Sequence, residues 1–275
     1  MGQVRLDGAG VRCHMLVPPD ETPMTSQHDT PPDSAGEGHT VTLQIGEIAD
    51  PIRIGLPSGD VPPTDILPAL RTITDTVMAR AVAAAEARGR TISCKEGCAA
   101  CCRHLALISD VEAQSLVDLV DQMPEPRRSV VRARFAAAGQ RLTEAGLAER
   151  ARNAAGLPPE ELTALATDYF RLRIACPLLE DERCSVYDDR PLVCRCAVVT
   201  SPAEHCDNPG DKHIQLLRAP KITAAIMLMT SDEKPPQPAV VPLPFALGSN
   251  RGTTPRRGAD HWMRRFVSRL AASDG

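Results

Sequence analysis

The stretch SCKEGCAACCRH, residues 93–104, places four cysteines within nine positions of the chain. A second group lies much later, in CPLLEDERCSVYDDRPLVCRCAVVTSPAEHC, residues 176–206, which holds five more. Turn residues are frequent around this second group, so we predict a folded loop there rather than long regular elements. Because ligands need only converge in space, the long separation does not prevent the two groups from sharing one site.

The crowding of the thiols indicates a cation. Two bare thiolates about 4 Å apart repel each other by roughly 4 kcal/mol at an effective dielectric constant of about 20. Zinc or iron removes that repulsion, and both metals bind cysteine sulfur. Cys94, Cys98 and Cys101 also have i, i+4, i+7 spacing, which predicts that a helix presents them on one face.

The predicted metal ligands are all but one of the cysteines in the two groups. They are Cys94, Cys98, Cys101, Cys102, Cys176, Cys184, Cys194 and Cys206. Eight sulfurs suffice for two tetrahedral four-sulfur sites, or for one cluster with spare thiols, an iron–sulfur cluster included. Cys206 is included only because the loop returns there after SPAEH.

Other interpretations of the cysteines and histidines stay open. Cys13 and Cys196 are interpreted as small core residues, since cysteine is often buried. His104 and His205 each offer a nitrogen to a site of three cysteines and one histidine. For the first cysteine group, buried structural thiols and disulfides are the alternatives to metal, including a bridge between Cys101 and its neighbour Cys102.

The two groups together resemble the bacterial YkgJ-type cysteine-cluster proteins. The resemblance rests on Cys94-x3-Cys98-x2-Cys101-Cys102, on CPLL at 176–179 and on CSVYDDRPLVCR at 184–195. The family's short signature is CxxCxxCC, so the three-residue gap after Cys94 departs from it. The resemblance implies a zinc- or iron-chelating domain, and it supports every predicted ligand by position except Cys206.

Arginines next to the cysteines have two interpretations. Arg103, Arg190 and Arg195 can offset thiolate charge or donate hydrogen bonds to sulfur. Ordinary ion pairing, for example of Arg190 with Asp188 or Asp189, explains them equally well.

A second set of arginines recurs at seven-residue intervals in the stretch 126–152. Arg127, Arg134 and Arg141 are predicted to lie on a solvated helix face, remote in sequence from the ligands. Neutralising them is therefore expected to leave the metal content unaltered. Binding to an anionic partner, RNA included, is the alternative.

The composition predicts a mainly α-helical protein. Only 3% of the residues are aromatic, so alanine, leucine, valine and isoleucine must form the core. Hydrophobic periodicity predicts helices over 64–89, from 109 to about 120, and over 126–151, 159–172, 213–230 and 258–272. Thr64 is the predicted N-cap of the first helix and Gly89 its stop, and Ser109 to Glu112 have the spacing of a capping box.

Those helices surround an irregular cysteine-rich metal-binding core, with a helical insert between the two cysteine groups. Alternating apolar residues over 40–56 predict a small N-terminal β-hairpin. Residues 1–38 are dense in proline, glycine, serine and threonine and are predicted to be a disordered tail. Residues 39–275 are then a single cysteine-cluster domain, with its motif core at 94–206.

The environment and the partners follow from charge and hydropathy. The sequence shows no secretory signal and no apolar run of bilayer length, so we expect a cytoplasmic protein that does not contact a membrane. In a reducing compartment, ten cysteines favour metal over disulfides. A net charge of −4 and the lack of a phosphate-binding motif argue against a nucleic-acid partner for the whole surface.

These observations favour a metal-binding protein whose zinc or iron organises the fold. One alternative is a metal- or iron–sulfur-dependent enzyme that modifies a protein or peptide. The other is an interaction or regulatory module, with a protein partner and purely structural zinc. An open coordination position beside a pocket would favour the enzyme, and a closed shell of four thiolates the module. The sequence assigns no catalytic residue.

Overall fold

The computed structural model describes residues 11–14, 39–45, 52–95, 97–207, 214–217, 222–249 and 255–272, the first two ranges by their backbone. Its strands are β1 Val11–His14, β2 His39–Ile45, β3 Ile52–Leu56, β4 Asp60–Val61, β5 Leu107–Ser109, β6 Leu179–Glu180, β7 Arg183–Cys184, β8 Val240–Pro242 and β9 Arg257–Gly258. Its helices are α1 Leu67–Ala87, α2 Asp110–Asp121, α3 Arg127–Glu144, α4 Ala148–Arg152, α5 Pro159–Arg171, α6 Leu192–Arg195, α7 Ile222–Met229 and α8 Ala259–Ala272. The mainly α class is confirmed.

Helix α1 follows a 3-10 turn, Pro63–Ile66. Thr64 lies inside that turn, where its hydroxyl hydrogen-bonds to Asp65, so the prediction that Thr64 caps the helix is wrong. Pro63 and Pro68 occupy the first positions of the turn and of the helix, where proline is favoured because it has no N–H to satisfy. Gly89 ends the helix as predicted, with a φ of +75°.

Helix α2 begins with the predicted capping box. The Ser109 hydroxyl accepts a hydrogen bond from the Glu112 amide at 3.2 Å, and the Glu112 carboxylate accepts one from the Ser109 amide at 2.8 Å. The other oxygen of this buried carboxylate accepts from the amide of Leu192 at 2.6 Å, at the start of α6. Burial raises the pKa of Glu112, and the amide donors act against that rise. One side chain therefore caps α2 and fixes the second cysteine segment.

Two predicted helices have different bounds in the structure. The helix predicted over 126–151 is interrupted at Gly146, which has a φ of +69°, so it forms α3 and α4. Within the helix predicted over 213–230, residues 214–217 are not helical, and the described helix is α7, Ile222–Met229. Helices α5 and α8 agree with their predicted ranges to within about one residue. None of the helices among the described residues is long and apolar enough to span a membrane.

The N-terminal β-hairpin is confirmed by the antiparallel pairing of β2 with β3. Strand β1 pairs with the other edge of β2 and makes a three-stranded sheet. Strand β1 comes from the segment predicted to be a disordered tail, and the other residues of 1–38 lie outside the described ones. The division into tail and domain stays a prediction.

Several hydrophobic clusters hold the elements together. The largest packs β3, α1, α7 and α8 around fully buried residues such as Ile226 and Phe266. A second packs α2 and α3 against Leu178 and Val186 of the second cysteine segment. The helical insert predicted between the cysteine groups is therefore present, and the second cysteine segment rests on it.

Replacing Glu112 with alanine is expected to lower the free energy of unfolding by about 2–4 kcal/mol, because two buried amides lose their acceptor. Thermal unfolding followed by circular dichroism measures the change. Asp118→Ala, on the exposed face of the same helix, is the matched control and is expected to cost less than about 0.5 kcal/mol. Equal losses in the two variants would contradict the role assigned to Glu112.

Candidate metal centre

The two cysteine segments lie against each other at both of their ends. The amide of Cys176 donates a hydrogen bond to the carbonyl oxygen of Cys102, with an N···O distance of 2.7 Å. The sulfur of Cys94 accepts one from the amide of Val199 at 3.3 Å and lies 3.7 Å from the carbonyl oxygen of Ala197. A metal site shared by the two segments requires that their backbones lie this close together.

The first cysteine segment is not the predicted helix. Among its described residues, 94–99 have no helical structure, and a 3-10 turn occupies Ala100–Arg103. Gly97 has a φ of +79°, a left-handed conformation that an α-helix cannot contain. The prediction that one helix face presents Cys94, Cys98 and Cys101 is therefore wrong.

The thiols are close enough to influence one another electrostatically. Burial raises the pKa of Cys176 to about 12 and raises that of Cys194 further, and Cys184 and Cys101 add to both shifts. Burial is the main cause that raises the pKa of Cys94, Cys184 and Cys206, and Cys101 adds to each of these shifts. For Cys102 the main cause is its hydrogen bond to Cys101, followed by burial and by the charge of Cys101. Cys98 also acts to raise the pKa of Cys94 and Cys206. Cys101 is thus the electrostatic centre of the group.

Cys101 and Cys102 differ sharply although they are neighbours. A hydrogen bond between their side chains lowers the pKa of Cys101 to about 6 and raises that of Cys102. Cys101 is exposed, and the other described cysteines are half-buried. All nine of the described cysteines are free, so the bridge between Cys101 and Cys102 is not formed.

Cys196 lies apart from this group. It packs against Met78, Ala85 and Leu217, and burial raises its pKa to about 11. The charged groups that modify this shift are two carboxylates and an arginine. Its environment is that of the core residue predicted from the sequence. The side chain of Cys13 lies outside the described part of the chain.

His104 joins the first segment to the end of the second. Its Nε2 lies 3.0 Å from the carbonyl oxygen of Cys206, and its ring lies 4.8 Å from the ring of Phe170. Because a carbonyl oxygen can only accept, Nε2 carries the proton and donates. This bond holds Cys206, the predicted ligand with the least support from the sequence, next to the first cysteine segment.

Helix α1 fixes the loop that leads to Cys194 through two charges one turn apart. Arg71 donates to the carboxylate of Asp189 at 2.6 Å and to its carbonyl oxygen at 3.2 Å. Asp75 accepts from the buried guanidinium of Arg195 at 2.5 Å. Neither Arg71 nor Asp75 was predicted from the sequence to contact this loop. An arginine and an aspartate four apart are typical of any exposed helix face, and nothing local names a partner 118 residues away.

Arg103 holds the hairpin that carries Cys184. Two of its guanidinium nitrogens donate to the carboxylate oxygens of Glu182 at 3.0 and 2.6 Å. Glu182 and Asp181 form the two-residue turn between β6 and β7, with φ values of +57° and +47°. Non-glycine residues rarely adopt this conformation, so the ion pair with Arg103 helps to hold the turn. Ion pairing thus accounts for Arg103, as it does for Arg195.

The arginines at seven-residue intervals also contact the second cysteine segment or its approach. The contacts are Arg127 with Ser185 and Glu180, Arg134 with Glu180, and Arg141 with Leu172. These side chains are exposed, as predicted. The face is nevertheless close in space to the cysteines, because Glu180 lies in β6 and Ser185 directly follows Cys184 of β7. The face is an exposed one whose arginines are engaged within the protein.

The donor set fits zinc or iron, since thiolate sulfur binds both. Among the described residues, no group of three or more His, Cys, Asp or Glu side chains is already arranged to hold a metal ion. The assignment of the eight ligands stays a prediction.

A family model covers both cysteine segments and the insert between them. Residues 93–211 match the CxxCxxCC family. The family is described as a "putative zinc- or iron-chelating domain", and the resemblance suggested by the sequence is confirmed for this segment. The CxxCxxCC segment is less than half of the chain. No curated protein and no solved structure matches the chain.

Replacing Arg127 and Arg134 together with glutamine is expected to loosen the β6–β7 hairpin, because Glu180 loses both of its partners. The expected cost is about 1 kcal/mol, since exposed ion pairs contribute little individually. Hydrogen exchange measured by mass spectrometry should show faster exchange over 179–185. Arg128→Gln with Arg132→Gln is the control with the same charge change, because those arginines pair with Glu125 and Asp121 instead. Equal exchange over 179–185 in both variants would contradict the contact.

Proposed function

We propose that this protein binds zinc or iron through the eight predicted cysteines, and that the metal stabilises its CxxCxxCC segment. The observation that supports the proposal most is the convergence of sulfurs from two distant segments. Hydrogen bonds join Cys176 to Cys102 and Val199 to Cys94, and His104 contacts the carbonyl oxygen of Cys206. In agreement with this proximity, Cys101 acts to raise the pKa of predicted ligands in both segments. Cys196, which is not a predicted ligand, lies in a different environment.

The second cysteine segment supplies a further reason for a structural metal. Its regular elements are two strands of two residues each and the four-residue helix α6. Elements this short do not stabilise themselves. Structural zinc contributes about 10–16 kcal/mol of binding energy in small zinc modules. Metal binding of this strength would hold the second cysteine segment folded. The positive charge of the metal would also offset the repulsion between the thiolates.

A pocket beside the cysteines would be the strongest argument for catalysis. A cavity of about 470 Å³ does lie between α1 and residues 214–217. Its lining residues include Arg88, Arg90 and alanines of α1, but no cysteine. This cavity therefore gives no support to chemistry at the proposed metal.

Single serine substitutions are expected to separate ligands from bystanders. Cys98→Ser and Cys194→Ser should each lose most of the bound metal, because an incomplete shell of sulfurs binds weakly. Cys196→Ser is the matched control in the same segment and should keep it. Metal per chain, measured by mass spectrometry on anaerobically purified protein, gives the answer, and the visible spectrum distinguishes iron from zinc. Metal retained in both ligand variants would refute the assignment.

Removal of the metal is expected to destabilise the protein. Chelation under reducing conditions should lower the melting temperature by roughly 10 °C or more, because the metal binds only the folded state. Hydrogen exchange should rise first over 176–206, and the cluster of α1, α7 and α8 should stay protected. An unchanged melting temperature after verified loss of metal would exclude a structural role.

A further inference from the structure

The cavity between α1 and residues 214–217 is bordered by an open strand edge. Leu216 forms an isolated antiparallel bridge with Val199. Hydrogen bonds of 3.0 and 2.8 Å on either side of this pair join Gln215 and Leu217 to the neighbours of Val199. In such a pair the N–H and C=O of the two facing residues point away from the partner strand. The backbone groups of Leu216 therefore point outward, and they form no hydrogen bond with the described part of the chain.

Helix α1 forms the opposite wall of the cavity with small side chains. Ala81, Ala84 and Ala85 line it, and Ala84 is exposed. Leu217 packs against Ala85 and joins the two walls, whereas Leu216 is 59% exposed. The volume of about 470 Å³ lies within the usual range of ligand sites, about 300–1,000 Å³. The cavity is thus a groove between a helix and a strand edge, a shape that binds an extended peptide as an added strand.

The groove is positively charged where α1 ends. Arg88 directly follows the helix, Arg90 lies two residues further on, and both side chains are exposed. The guanidinium of Arg90 donates to the hydroxyl of Thr200, and within the described ranges neither arginine pairs with a carboxylate. None of the lining residues is acidic. Because a guanidinium binds a carboxylate through two parallel hydrogen bonds, the charge of the groove is complementary to an acidic ligand.

We propose that this groove binds an extended acidic peptide of a partner protein by β-strand addition. The main chain of the peptide bonds to the N–H and C=O of Leu216, its apolar side chains contact the alanines of α1, and a carboxylate pairs with Arg88 and Arg90. The inference goes beyond metal binding and does not require it. The groove nevertheless adjoins the cysteines, because the amide of Val199, opposite Leu216, donates to the sulfur of Cys94 at 3.3 Å.

The probe is a fluorescein-labelled six-residue peptide of alternating valine and threonine that ends in two glutamates. Fluorescence anisotropy on the full chain, as purified, is expected to show saturable binding with a Kd below about 1 mM. The same peptide with glutamines in place of the glutamates should bind about tenfold more weakly, because it loses the charged partner of the arginines. The acidic peptide methylated at every backbone nitrogen should also bind about tenfold more weakly, because strand addition needs main-chain donors.

Variants of the protein test the two walls separately. Arg88→Gln with Arg90→Gln should weaken the acidic peptide about tenfold or more and leave the glutamine peptide unchanged. Ala84→Phe fills the groove and should weaken both peptides. Arg128→Gln with Arg132→Gln is the control with the same charge change in α3, outside the cavity, and should bind both peptides as wild type. If the Arg88 and Arg90 variant does not fold, Ala84→Phe and the three peptides decide.

Several results would overturn the inference. They are equal Kd values for the acidic and glutamine peptides, unweakened binding of the methylated peptide, and wild-type affinity for the acidic peptide in either groove variant. Displacement of the peptide by an equal concentration of glutarate or of a single-stranded oligonucleotide would show an anion site without strand addition, and would also overturn it. A wild type that binds none of the peptides would overturn the inference alone, because metal per chain, measured on the same samples, tests the proposed function separately.

Discussion

The hydrogen bond from the amide of Cys176 to the carbonyl oxygen of Cys102 is the contact on which the rest of the site depends. It ties together two chain segments that the whole helical insert separates. Because the donor and the acceptor both belong to cysteines, the bond brings the thiols of the two segments close to each other. Hydrophobic clusters pack the insert against the second cysteine segment and against residues 243–247, and this packing holds both ends of the insert in place.

Charged and polar groups hold the second cysteine segment from three directions. Helix α1 pairs with the loop before Cys194, the buried Glu112 of α2 accepts from Leu192, and arginines of α3 contact the β6–β7 hairpin. None of these groups is a sulfur ligand. These contacts help to position the backbone of the segment without contributing a ligand. A bound metal ion would then bring the cysteine side chains together.

Local patterns in the sequence predicted local structure well. The capping box of α2, the stop at Gly89 and the hairpin of β2 with β3 all depend on residues a few positions apart, and the structure contains them. The helix predicted through the first cysteines failed at Gly97, because i, i+4 spacing says nothing about the backbone conformation of the residues between.

Long-range contacts were not predictable in the same way. The sequence marked Glu112 as half of a capping box but could not show that its second oxygen reaches α6. It also could not show which carboxylates the arginines near the cysteines would meet, because Asp189 pairs with Arg71 of a distant helix. Seven of the eight proposed ligands follow from spacing and from the family pattern, and Cys206 follows only from its place at the end of the loop.

X-ray absorption spectroscopy at the metal edge tests the central claim most directly, on protein purified without oxygen. A first shell of sulfur alone is expected, with four scatterers at about 2.3 Å if the metal is zinc. A shell dominated by nitrogen or oxygen, or the absence of any tightly bound zinc or iron, would contradict it.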